Sequence, residues 1–314
     1  MAISIGSAVG SGFSLVGKRP LSVLSWGVFL YLAIIVLLAL VVAVVGFPLV
    51  GRLVALNGRT PDPTEARQLA FAMLGAIWPA MLLFLLGCIL AGSVVQGAVI
   101  RSILTPEQRR FAYLRLGRSE GALMLLALLF IPIFVALFVV SVLALMLFGA
   151  IGQAIQGLAG GMVTFLGCVA YALAVMWVAL RFSLAAPMTF AAGGVRFLSS
   201  WNLTKGEGWR LFGLAWLLLL IWIGVSVAYL IVSMILNTVL GGAAMASIFA
   251  SGGGASATPD PAAAISRLPF LVLALIPSFV LGAAFNGFLQ AIGQGPWADV
   301  YRQLKGPDLA ATFS

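Results

Sequence analysis

GALMLLALLFIPIFVALFVVSVLALMLF, residues Gly121 to Phe148, carries no charged residue and no alternation of apolar with polar positions. A helix needs about 20 apolar residues to cross the hydrocarbon core of a bilayer, and this run exceeds that. A transmembrane barrel strand would instead show about ten residues of alternating hydrophobicity. Backbone groups in lipid must be satisfied internally, so an unalternating run of this length is a helix. The whole chain has the same character. Of its 314 residues 63% are hydrophobic and 8% charged, against roughly 45–50% and 25% in soluble domains. The fold class expected is an all-α integral membrane protein.

Six runs are expected to span: Leu21 to Val50, Leu69 to Ile100, Ala122 to Phe148, Met162 to Leu184, Trp209 to Leu240 and Leu268 to Ile292. Pro48 and Gly51 are read as ending the first, and Pro187 as stopping the fourth. Pro79, Pro132 and Pro277 lie inside spans, where proline kinks a helix. Ser93 and Gly97 make a small-xxx-small pair that admits a neighbouring helix. The turn from Gly149 to Gly161 is uncharged, residues 241–264 form a Gly/Ala/Ser loop, and Gln294 to Ser314 is a short polar tail.

The spans pair into three helical hairpins, covering approximately residues 1–105, 106–190 and 191–300 of a single polytopic domain. A cytoplasmic interfacial amphipathic segment is expected before each. Ile5, Val9, Phe13 and Val16 recur at near-helical spacing in the first. Thr105-Pro106-Glu107 reads as the helix start of the second, with Phe111 and Leu114 on one side. Phe197, Leu198 and Trp201 form the apolar face of the third.

Orientation follows from the cations of the short loops. With the N-terminus inside, the inner segments hold Lys18, Arg19, Arg101, Arg109, Arg110, Arg115, Arg118, Arg181, Arg196, Lys205, Arg210, Arg302 and Lys305. The outer segments hold only Arg52, Arg59, Arg67 and Arg267. Both termini are therefore expected in the cytoplasm. The net charge of +9 is scattered beside spans, which suits anionic headgroups and gives no reason to expect nucleic acid.

The chain has no histidine, which removes His-based metal sites and Ser-His relays. Cys88 and Cys168 both lie in apolar runs and read as small buried hydrophobes. No metal and no cofactor is expected. Glycines 87, 92 and 97 lie in a span and lack the Lys-Ser/Thr ending of a phosphate loop.

One short pattern occurs twice. Leu114 to Gly121, LRLGRSEG, aligns with Trp201 to Gly208, WNLTKGEG, so that a basic residue, Glu and Gly match in order before a long apolar run. The two read as one structural element used twice. The longer stretch Ser200 to Gly213, SWNLTKGEGWRLFG, resembles the S-W-x-L-T-[KR]-G-x-x-W-R-[LI]-F loop of a broad group of bacterial polytopic proteins. That group includes the membrane domain joined to some glycerophosphoryl diester phosphodiesterases and the six-helix YciC-like proteins of the inner membrane. The resemblance implies a helical protein of the bacterial inner membrane. It implies no phosphodiesterase activity, because that chemistry belongs to a separate barrel domain using His, which this sequence lacks. Abundant Arg, Ala, Gly and Val also suit a GC-rich bacterial genome.

Arg101 and Arg181 end the second and fourth spans, where long cationic side chains can snorkel to headgroups. With Arg109, Arg110, Arg115, Arg118, Arg196, Lys205 and Arg210 they are the candidate contacts for lipid headgroups or a partner protein. Glu120 and Glu207 precede spans, where the helix dipole favours an acid and local basic residues can pair with it. Gln96, Asn286 and Gln290 are candidates for a polar path, whereas Ser141, Thr164, Ser226 and Asn237 suit helix packing. With neither His nor a mid-span carboxylate, no enzyme is expected. The functional expectation is an inner-membrane scaffold or partner-binding protein associated with anionic lipid. A transporter or lipid-handling protein with a polar path between hairpins is the alternative.

Overall fold

The computed structural model describes residues 3–55, 62–107, 111–249 and 261–306. Among these the regular structure is entirely helical: α1 (Ile5–Lys18), α2 (Pro20–Val41), α3 (Phe47–Ala55), α4 (Pro63–Leu104), α5 (Arg118–Ile155), α6 (Gly157–Phe182), α7 (Ala185–Ala192), α8 (Phe197–Leu203), α9 (Gly208–Phe249) and α10 (Pro261–Lys305). Six helical stretches are long and apolar enough to cross a membrane. Their most apolar windows bury few of their residues inside the protein, and that of Gly208–Val239 buries none. Large side chains such as Trp78, Phe134, Phe165 and Met234 point outward. Water would penalise that surface by roughly 25 cal/mol per Å², whereas lipid does not.

The spans are longer than expected because their breakers act weakly. Pro48 cannot donate to the carbonyl four residues back and its ring crowds that turn. The helix answers by widening into a π turn over Val42–Gly46, then continues as α3. Pro48 and Gly51 therefore reshape the first span instead of ending it. Pro187 falls in the first turn of α7, where no intrahelical donor is needed. The uncharged turn after α5 shrinks to Gln156, whose φ is +59°. Gln294 onward continues α10 as far as Lys305.

The chain forms two compact units. The first comprises residues 1–14, 92–218 and 292–314; the second comprises residues 15–91 and 219–291.

In the first unit α5 and α6 run antiparallel and close. A side-chain carbon at Gly160 would strike the Gly152 carbonyl. The Ser141 and Tyr171 hydroxyls are 2.8 Å apart, and Thr164 donates to the Phe148 carbonyl at 3.1 Å. The core gathers Ile3 and Ala8 with Leu180, Leu184, Leu211, Leu214, Val300 and Tyr301. Thus α1 is docked within the unit through a stripe that includes Ile3, just before it, with Ala8 and Gly12, while Phe13 is exposed. Gly12 meets Gly295 of α10, and the Ser4 amide donates to Gln303 Oε1 at 2.8 Å.

In the second unit Trp26 is fully buried, and α2 crosses α10 with backbones in contact. A side-chain carbon at Gly27 would overlap the Ala283 carbonyl, and one at Gly287 would overlap the Val23 carbonyl. Tyr31 lies over Gly282 and meets Phe279 edge-on at 5.6 Å. Leu37 fills the space beside Gly87. Further along, Tyr229 of α9 stacks on Phe285 at 3.9 Å, and Ser278 donates to Asn237 at 3.1 Å.

Candidate arginine cleft

Three arginines close the ends of helices that return through the chain: Arg101 on α4, Arg181 at the end of α6 and Arg302 on α10. Each meets a different environment in the first unit.

Arg101 is 5% exposed and forms an ion pair with Glu120, which is fully buried. Its other terminal nitrogen donates to the Tyr113 carbonyl at 2.6 Å. The guanidinium lies 5.3 Å from the Phe190 ring centre. Gly97, one turn before Arg101, is what admits the acid. A side-chain carbon there would stand 2.8 Å from Glu120 Oε1. The expected snorkelling of Arg101 to headgroups is thus corrected: a carboxylate nineteen residues away holds its charge inside the protein. A buried charge without a partner would be costly, and the pair with its extra hydrogen bonds removes that cost.

The segment between the two residues explains the geometry. The amphipathic helix expected from Thr105 is absent from its described part. A turn occupies Pro106–Glu107, and a 3-10 turn Phe111–Tyr113 follows with φ of +54° at Ala112 and +64° at Tyr113. This left-handed backbone folds Tyr113 inward. Its ring is buried, its hydroxyl donates to the Pro106 carbonyl at 3.0 Å, and its own carbonyl receives Arg101. Leu114 to Leu116 are irregular, and α5 starts at Arg118 with Glu120 in its first turn.

Above the pair opens a polar cleft of about 300 Å³, lined by Arg101, Arg115, Arg118, Ser119, Glu120 and Phe190 among others. Arg115 and Arg118 are exposed. Because Glu120 is matched by Arg101, the two rim arginines leave the cleft with an excess of two positive charges. Arg109 and Arg110 lie outside the described residues.

Among the described residues no carboxylate pairs with Arg181. It donates to the Thr204 carbonyl at 2.7 Å and lies 5.1 Å and 5.6 Å from the rings of Trp177 and Trp201. Its Nε is buried without a hydrogen-bond partner. Ser200 donates to the Arg181 carbonyl at 2.8 Å, and Phe182 stacks on Phe197 at 4.3 Å. So α8 is held through Phe197 and Trp201, while Leu198 is exposed. The duplicated pattern therefore serves two local structures. Glu207 sits just before α9, half-buried, and meets Arg210 at 3.4 Å, whereas Glu120 enters its helix and is buried. Arg196 and Lys205 are exposed.

Arg302 pairs with Asp299, a fully buried acid that also accepts from Gln303 at 2.8 Å and from Ser7 of α1 at 3.3 Å. Sequence reasoning passed over Asp299. Its signal was the Asp-x-x-Arg spacing on an otherwise apolar helix end, which puts the two residues on one face. It also passed over Tyr113 and Phe190, which carry no charge to mark them.

The residues expected along a polar path fall in both units. Gln96 donates to Gln294 Oε1 at 3.1 Å in the first unit. Asn286 and Gln290 belong to the second unit and are half-buried. Among the described residues, no three His, Cys, Asp or Glu side chains stand close enough to hold a metal ion.

No family model matches the chain, and neither a curated protein nor a solved structure matches it.

Proposed function

We propose that this protein is a non-enzymatic scaffold of the bacterial inner membrane that binds anionic phospholipid headgroups at the arginine cleft beside α5. The observation that carries the reading is the cleft itself. A neutralised Arg101–Glu120 floor supports two exposed arginines, Arg115 and Arg118, over a polar hollow. Arginine presents a planar fork of donors that matches phosphate, and it stands here at the junction of a spanning helix and a polar segment. In this reading the six spans form three hairpins, each led by an interfacial segment, with both termini in the cytoplasm. The cation bias supports that orientation. Arg101, Arg115, Arg118, Arg181, Arg196, Lys205, Arg210, Arg302 and Lys305 all belong to the first unit. Lys18 and Arg19, also counted as inner, belong to the second, together with the outer cations Arg52, Arg67 and Arg267. The Ser200–Gly213 stretch supports a place among the polytopic bacterial proteins it resembles.

Each Lys or Arg near an anionic surface contributes about 1 kcal/mol. Replacing Arg109, Arg110, Arg115 and Arg118 together by glutamine is expected to lower the anionic lipid retained around the protein by at least tenfold, since about 1.4 kcal/mol is a factor of ten. The check is phosphatidylglycerol against phosphatidylcholine in mixed nanodiscs, read by mass spectrometry. Equal retention by wild type and variant would reject the cleft as a headgroup site. For orientation, a cysteine placed between residues 252 and 258, with Cys88 and Cys168 replaced by alanine, is expected to react only with a reagent added outside. Labelling confined to the cytoplasmic side would reverse the topology.

A further inference from the structure

Arg115 and Arg118 bring charge to the cleft that no acid among the described residues matches. Both line the hollow and both are exposed. Glu120 is the one acid among the lining residues, and each of its oxygens already has a partner. Oε1 pairs with Arg101, and Oε2 accepts from Ser119 at 3.2 Å. The ion pairs of the described residues join Arg101 to Glu120, Arg210 to Glu207 and Arg302 to Asp299, so none reaches either rim arginine. Thr105 also lines the cleft, but its hydroxyl donates to the Arg101 carbonyl at 3.2 Å. Two like charges at one small hollow repel each other, and an anion between them would reverse that.

The count of charges and donors says which anion fits. A phosphodiester headgroup, such as that of phosphatidylglycerol, brings one negative charge and two free oxygens. A phosphate monoester brings close to two charges at pH 7 and three free acceptor oxygens. A guanidinium aims parallel N–H donors at a pair of oxygens. Two guanidinium groups can divide three oxygens between them, but they crowd onto two. The cleft volume of about 300 Å³ stands at the lower end of the roughly 300–1,000 Å³ of ligand sites. It opens where α4 has ended and α5 begins, so a headgroup can enter while its chains stay beside the spans.

We infer that the arginine cleft selects a phosphate monoester, the headgroup of phosphatidic acid, over a phosphodiester. The inference rests on the headgroup reading above and names the chemistry of that headgroup.

The test places the full chain in phosphatidylcholine nanodiscs that carry a small, equal fraction of phosphatidic acid or of phosphatidylglycerol with the same acyl chains. Bound lipid is counted by native mass spectrometry. At pH 8 phosphatidic acid is expected to be retained at least about tenfold more than phosphatidylglycerol, a factor equivalent to about 1.4 kcal/mol. Arg115→Gln with Arg118→Gln should bring the ratio near one. Arg196→Gln with Lys205→Gln, which removes two exposed cations outside the cleft, should leave it unchanged. The ratio should also fall near one at pH 5, because a monoester loses its second charge below about pH 6 while a diester keeps its single charge. The charged groups facing the cleft are Arg101 of α4, Arg115, and Arg118 and Glu120 of α5, whereas α7 contributes Phe190. Histidine, the side chain that ordinarily titrates between pH 5 and 8, is absent from the chain. Glycerol 3-phosphate, the same monoester without acyl chains, separates a lipid source from a soluble one: retention of phosphatidic acid should survive an equimolar amount.

Equal retention of the two anionic lipids, both above phosphatidylcholine and both lost with Arg115 and Arg118, overturns the inference and leaves the headgroup reading standing. Neither lipid above phosphatidylcholine overturns both. A preference for phosphatidic acid that survives the Arg115 and Arg118 substitutions, or that is the same at pH 5 and pH 8, overturns the inference. So does displacement of phosphatidic acid by equimolar glycerol 3-phosphate.

Discussion

Replacing Glu120 by alanine is expected to destabilise the protein by about 3–5 kcal/mol, the cost of leaving one member of a buried ion pair alone. The acid is fully buried, and it is the only carboxylate that the described residues set against Arg101. Removing it strands a guanidinium that is 5% exposed and whose remaining contacts among the described residues are one carbonyl and the face of Phe190. Glu120→Gln should cost less, because an amide oxygen can still accept from Arg101. Replacing both partners, Arg101→Met with Glu120→Leu, should recover most of the stability, since apolar residues of similar volume substitute well for a buried pair. Unfolding in mixed detergent micelles, followed by helical circular dichroism, gives the three values. A Glu120→Ala protein as stable as wild type would show that Arg101 is not held as described.

Gly287→Val should cost roughly 3 kcal/mol, the upper end of the usual range for overpacking. The added carbon would overlap the carbonyl of Val23 on α2, and Gly27 faces the Ala283 carbonyl in the same crossing. Both obstacles are backbone, so no rotamer change relieves them and the helices must separate. Gly224→Ala on α9 is the control. Nothing lies within 4 Å of the added carbon there, and alanine favours a helix over glycine by about 1 kcal/mol. The same unfolding assay reads both. Equal stability of the two variants would contradict the close α2–α10 crossing.

The spans were legible in the sequence because hydrophobic length alone defines them. Their ends were less legible. Pro48 looked terminal, but a helix in lipid keeps its backbone bonds by widening, and a sequence does not display that option. The turn at Gln156 was hidden because Gly149, Gly152, Gly160 and Gly161 suit a loop and a tight helix crossing equally well. At the cleft, the charges of Arg101 and Glu120 were visible, but their pairing was not. The nearest basic neighbour of Glu120 in sequence is Arg118, and only the fold brings Arg101 to it. Gly97 was read as a seat for a neighbouring helix; in the structure the space it leaves is taken by the Glu120 side chain. The amphipathic reading of α1 found the helix and grouped Phe13 with Ile5, Val9 and Val16 on a membrane-facing side, but did not see the face by which α1 packs on the protein. Small residues, Ala8 and Gly12, make that face because α10 approaches closely.

We propose that the protein holds anionic phospholipid at the arginine cleft beside α5. The most direct test is to extract the wild-type chain with its native lipid into nanodiscs and to identify what accompanies it by mass spectrometry. Anionic phospholipid enriched over the bulk membrane composition is expected. A lipid composition equal to the bulk, with a stoichiometric protein partner in its place, would contradict it.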